Sequence, residues 1–223
     1  MENENGFSKE TEITLGKTVI ANDPCYEPKE GVIIKNVLPG EYKCKIDFYF
    51  GERWNKNKPS RIVAEHKDYV GKISNYIDTE EIVCVDSGQA GIFDKDYYDN
   101  IFENGTETEE YKKWYDRCFF NAYTQVENEE HLDYWDWLAT FRKPLFLSLN
   151  KKFLTNDKDL HEQYNKSKYR HYNKEIFGIA NLDDKGVCSC TNAGDGYYSV
   201  HLGKNKKGKI VGIFIDFCPS GDK

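Results

Sequence analysis

The sequence predicts an α+β fold: a mainly antiparallel sheet or partial β-barrel, with a helical block inserted at about residues 95–173. Three observations carry this. Runs that alternate apolar and polar residues recur between residues 14 and 66 and return after residue 175. Between them Tyr111, Trp114, Tyr115, Cys118, Phe119 and Ala122 fall three and four apart, which is one face of a helix over 107–124. The stretch GDGYYSVHLGKNKKGKIVGIFIDF holds two apolar runs around a Gly-rich turn, the pattern of a β-hairpin.

Taken in order, residues 1–12 are polar and acidic and read as a disordered tail ahead of a single domain over 13–223. Residues 14–21 make a strand that ends at Asn22-Asp23-Pro24, where the proline drives Asp23 out of the helical region. Residues 31–37 make the next, closed by Leu38-Pro39-Gly40. Residues 41–50 set Tyr42, Cys44, Ile46, Phe48 and Phe50 against Lys43, Lys45 and Asp47, and residues 61–66 follow as a strand. A short buried strand over 81–85 runs into Asp86-Ser87-Gly88. Thr106 and Glu109 have capping-box spacing, and a second helix is expected over 129–141 with Leu132, Trp135 and Leu138 inward. Residues 156–173 are polar and hold His161 and His171, but no H-x-x-x-H pair. Strands return at 176–180 and 187–191 around Asp183-Asp184-Lys185-Gly186, and the hairpin pairs 197–202 with 209–217.

The 223 residues carry a net charge of -7, and 15% of them are aromatic. With a mean hydropathy of -0.78, Tyr and Phe must supply much of the buried area, at roughly 25 cal/mol per Å². The acidic balance argues against a general nucleic-acid or anionic-membrane binder, leaving a protein or small-molecule partner. No run approaches the ~18 apolar residues of a membrane span, and the first twelve residues lack the pattern of a secretory signal. Seven cysteines, an odd number, then read as reduced thiols of a cytoplasmic protein without disulfides.

Three turns break apolar runs with an aspartate: Asp23, Asp86 and Asp195. Two readings follow. Converging at one rim, with Asp216 as a further member, the carboxylates would hold a divalent cation. Separately, each would cap its own turn by accepting backbone N–H bonds. Either way Asp23, Tyr26, Ser87, Gly88, Gly194 and Gly196 are the candidate binding residues. Cys25, Asp86 and Asp195 are the catalytic candidates, Cys25 as a thiolate served by His66 or His201. Ser87 lacks the glycine two residues before it that a nucleophile elbow needs, since Val85 stands there. Cys188-x-Cys190 lacks a second pair at zinc spacing, and Gly194-x-Gly196 is a bare G-x-G that precedes a strand.

ANDPCY at 21–26, LPGEY at 38–42, VDSGQAGIFD at 85–94 and GDGYYSV at 194–200, with the closing GKNKKGKIVGIFIDF, resemble a bacterial and phage family of domains of unknown function. The resemblance implies one fold with a site at these turns, and no particular reaction. The expected function is a soluble binding or interaction protein, of the phage–host or toxin–immunity kind. The alternative is a small metal- or Cys-dependent hydrolase using the Asp turns.

Overall fold

In the computed structural model, which describes residues 9–48, 58–126, 174–191 and 193–218, the chain changes sheets at Gly16. Strand β1 (Glu10–Leu15) ends there and β2 (Thr18–Asn22) begins beyond it in a different sheet. The single strand expected over 14–21 is therefore two. The Gly16 N–H donates to Asp94 Oδ2 at 2.7 Å, and a Cβ at Gly16 would stand 2.8 Å from that same oxygen. β1 also starts at Glu10, inside the stretch read as a tail, because residues 10–15 pair in register with residues 40–45.

The fold is α+β, with antiparallel sheets. Among the described residues the first sheet runs β1, β4 (Gly40–Phe48), β5 (Pro59–His66), β13 (Ile210–Asp216), β12 (Gly196–Lys204) and β6 (Tyr76–Val85). The second runs β10 (Ala180–Leu182), β11 (Gly186–Cys190), β7 (Gln89–Asp94), β2 and β3 (Val32–Lys35). Alternation gives each inner face its buried row: Ile13, Tyr42, Ile62 and Ile213 on the first sheet, Val19, Ala21, Ala90 and Ile92 on the second. Backbone bonds pin the two sheets at both flanks, Thr14 N–H to Asp184 O at 2.7 Å and Leu38 N–H to Ile210 O at 2.9 Å. The sheets do not close into a barrel.

The second sheet is covered on its other face by α1 (Lys95–Phe102) and α2 (Glu109–Ala122). The Phe93 ring lies against Tyr98 at 4.7 Å and Trp114 at 5.8 Å between centroids. It lies flat on the sheet because Gly91 and Gly186 leave room: a Cβ would meet the ring at 2.3 Å from Gly91 and at 2.4 Å from Gly186. Tyr111, Trp114 and Cys118 are buried as the helical spacing predicts. The cap is Thr108, not Thr106, for its Oγ1 accepts the Tyr111 N–H at 3.2 Å.

Two further corrections concern strands. The run expected at 176–180 breaks at Gly178 into β9 (Lys174–Phe177) and β10, and β10 turns into β11 through Asp183 and Asp184 at φ 55° and 54°. β6 begins at Tyr76, five residues before the expected start, because a bulge hides its first half. Glu80 sits at φ 62° and the register slips between Ser199 and His201. There Asp78 Oδ1 takes the Glu80 N–H at 2.9 Å and Thr79 Oγ1 the Glu81 N–H at 3.1 Å.

The chain divides into two compact units, residues 1–124 with 177–223, and residues 125–176. β8 (Tyr123–Val126) pairs with β9, and among the described residues the two form a sheet of their own. The helix expected over 129–141, His161 and His171 lie outside the described residues. All seven cysteines are free thiols. Among the described residues no helix is long and apolar enough to cross a membrane.

Two substitutions test this packing. Trp114→Ala should cost roughly 3–5 kcal/mol by urea denaturation, since the ring is 3% exposed. Gly91→Ala should cost about 1–3 kcal/mol through displacement of Phe93. A melting temperature unchanged in both would mean that α1 and α2 do not pack on the sheet.

Candidate functional site

β2 ends on Asn22 and Asp23, both fully buried, because Pro24 cannot continue the ladder and the chain must turn. A carboxylate out of water needs donors, and Asp23 has four. Its Oδ1 accepts the Cys25 N–H at 2.8 Å and the Ser87 hydroxyl at 2.7 Å. Its Oδ2 accepts the Asp86 and Ser87 N–H groups, both at 2.8 Å. Asp23 thus caps its own turn and clamps the β6–β7 turn as well.

The third turn joins on the other side. The Thr191 N–H donates to Gly88 O at 2.9 Å, while the Thr191 and Tyr198 hydroxyls donate to Gly194 O at 2.6 and 2.8 Å. Gly88 and Gly194 have φ of 70° and 81°, and a Cβ on Gly88 would lie 3.7 Å from the Gly194 Cα. The Asp23, Asp86 and Asp195 turns therefore form one corner, at which strands of both sheets end.

The three carboxylates themselves do not form one group. Asp23 is buried and saturated, Asp86 is exposed and accepts the Tyr26 hydroxyl at 2.5 Å, and Asp195 is exposed. Asp216 lies on β13 and accepts the Cys218 N–H at 3.0 Å. Among the described residues no set of three His, Cys, Asp or Glu side chains is placed to hold a metal ion. The oxygens that the cation reading assigned to a metal are, in Asp23, occupied by protein donors.

Cys25 is half-buried beside this cluster. Burial, a hydrogen bond to Asp23 and the negative charges of Asp23 and Asp86 push its thiol up to about 12. That is the opposite of what a thiolate nucleophile needs. The histidines offered as its base are engaged elsewhere. His66 Nδ1 accepts the Asp68 N–H at 3.3 Å with its ring edge-on to Tyr42 and Tyr69, and His201 stacks on Phe214 at 4.3 Å. Tyr26 is also raised, through its bond to Asp86 and then by burial, so the phenol keeps its proton.

The helices brace the corner through residues that the turn motifs did not reveal. The Tyr98 hydroxyl accepts from Asn22 Nδ2 at 3.2 Å and lies 3.0 Å from Asp23 O and 2.8 Å from Tyr26 O. The Tyr111 hydroxyl donates to Pro24 O at 3.2 Å. Burial raises Tyr111 and Tyr115, with the negative charge of Asp23 adding to it. The signal for Tyr111 was present in the helical stripe, where packing explained it fully. Thr191 and Tyr198 carried no signal beyond lying beside the GDG turn.

Neither a scan against protein-family models nor searches of curated proteins and of solved structures find a match to this chain.

Asp23→Ala leaves four donors without their acceptor and should cost at least about 3 kcal/mol by chemical denaturation, whereas Asp195→Ala should cost under about 0.5 kcal/mol. Equal effects would remove the clamp from Asp23. Alkylation of Cys25 by iodoacetamide, followed by peptide mass spectrometry, should accelerate about tenfold per pH unit from pH 7 to 10, because the thiol titrates above that range. A plateau below pH 9 would show an ordinary or activated thiol.

Proposed function

We propose that this protein is a binding or interaction module whose recognition surface is the corner formed by the three turns. The observation that carries this reading is the internal commitment of the reactive groups. Asp23 spends its lone pairs on Cys25, Asp86 and Ser87, and Cys25 is held as the neutral thiol. What remains toward solvent is a rigid outline: Tyr26 bonded to Asp86, the glycine turns at Gly88 and Gly194, and Asp195.

A metal- or cysteine-dependent hydrolase would need the reverse, carboxylate oxygens open to a cation or a thiol poised to ionise. A net charge of -7 suits a module that covers a basic partner, as a toxin–immunity or phage–host role would require.

The test is a panel of p-nitrophenyl esters, p-nitrophenyl phosphates and a casein digest, with and without calcium, magnesium, manganese or zinc. The wild type, Cys25→Ser and Asp86→Asn should all be indistinguishable from the blank. Turnover that either substitution abolishes would replace this reading with the hydrolase.

A further inference from the structure

Lysine and arginine are absent between Lys72 and Lys95 and again between Lys185 and Lys204, so β6, β12 as far as Gly203, and the turns at Asp86 and Asp195 carry carboxylates and no lysine or arginine. Asp78, Glu80, Glu81, Asp86 and Asp195 are all exposed there. Among the described residues none of the five lies in an ion pair, whereas Asp47, Asp99 and Asp183 elsewhere each do. Toward the corner the outer face of this strand pair is apolar, and Ser199 and His201 follow it on the same face. Tyr198, Val200, Val83 and Val85 are buried and face the core, so Tyr197, Ile82 and Cys84 face outward. Register sets Tyr197 opposite Cys84 and Ser199 opposite Ile82, which makes Tyr197 and Ile82 diagonal neighbours. Tyr197 is 75% exposed and Ile82 48%.

We infer that this outer face of β6 and β12 docks a basic protein surface, one that sets an aliphatic or aromatic side chain among lysines or arginines. The inference rests on the binding-module reading, extends its surface from the corner onto the strands that end there, where Tyr197 pairs with Cys84 beside the Asp86 and Asp195 turns, and names its partner. Charge complementarity selects the occupant. Five uncompensated carboxylates around an apolar centre favour a cationic rim, steer its approach and repel an acidic one. A second copy of this chain would bring the same carboxylates against themselves. Strand addition at the β6 edge is opposed as well. The Glu80 and Glu81 N–H groups are already taken by Asp78 and Thr79, and the bulge twists the edge out of register. The partner lies on the face and not along the edge.

The probes are three short synthetic peptides: one alternating lysine with leucine and tyrosine, one with glutamate in place of lysine, and one with serine in place of the apolar residues. Binding to the full chain is read by fluorescence anisotropy and mapped by amide shifts. The lysine–apolar peptide should bind at least about tenfold tighter than either control and weaken with salt. Its shifts should centre on Ile82, Cys84 and Tyr197. Tyr197→Ser with Ile82→Ser, and separately Glu81→Gln with Asp195→Asn, should each lower its affinity by about tenfold with unchanged circular dichroism.

Equal binding of the lysine–serine peptide, or insensitivity to both double variants, would overturn the inference. So would a dimer in sedimentation that Tyr197→Ser dissolves, because the second copy would then be the occupant. Shifts confined to Tyr26, Ser87 and Gly88 would also overturn it while leaving the module reading intact. Turnover in the substrate panel would sink that reading whatever the peptides do.

Discussion

A carboxylate taken wholly out of water is tolerated only where donors meet its charge, and at Asp23 they come from two chain segments. One is its own turn, through Cys25; the other is the β6–β7 turn, through Asp86 and Ser87. Because β6 belongs to the first sheet and β7 to the second, the clamp fixes where the chain passes between them. Neither segment can shift without leaving a buried charge or buried N–H groups unmatched, and each such group costs on the order of 1–3 kcal/mol. The corner's outline is therefore a by-product of its own solvation problem.

The helical layer answers the same constraint from the other side. Asn22 and Asp23 end a buried strand, so the carbonyls of the loop that follows need donors that water does not supply freely. Tyr98 and Tyr111 reach them from α1 and α2, and the same two rings pack with Trp114 and Phe102. A tyrosine suits this position because one end belongs to the apolar layer while the other must find a polar partner. The Phe93 ring completes the contact, seated over glycines at Gly91 and Gly186.

Much of this was legible in the chain itself. Period-two alternation located β4, β5, β12 and β13, and the three-four spacing located the buried face of α2. The reading failed where local pattern and pairing diverge. Gly16 lies inside an unbroken β-like run, and only the Asp94 carboxylate far along the chain makes it a crossing point. Residues 78–81 are too polar to look like strand because side chains there serve the bulge and not the core. The Asp turns were visible as a set, but their chemistry was not. Asp23 meets its principal donors 63 and 64 residues downstream, and no spacing rule covers that distance. Capping and cation binding ask for the same residue types at the same turns, so only the positions of the donors separate them.

β8 and β9 are hydrogen-bonded neighbours, so the chain leaves and re-enters the described residues on two strands that lie side by side. A segment entered and left at a single place is modular in an evolutionary sense. Its ends are held together by the β8–β9 pairing, and doubling the length between them adds only about 0.6 kcal/mol of closure entropy. The two sheets and the Asp23 corner form a chassis on which that segment could be exchanged, lengthened or diversified. Related chains would then be expected to share the turns and differ most between these two strands.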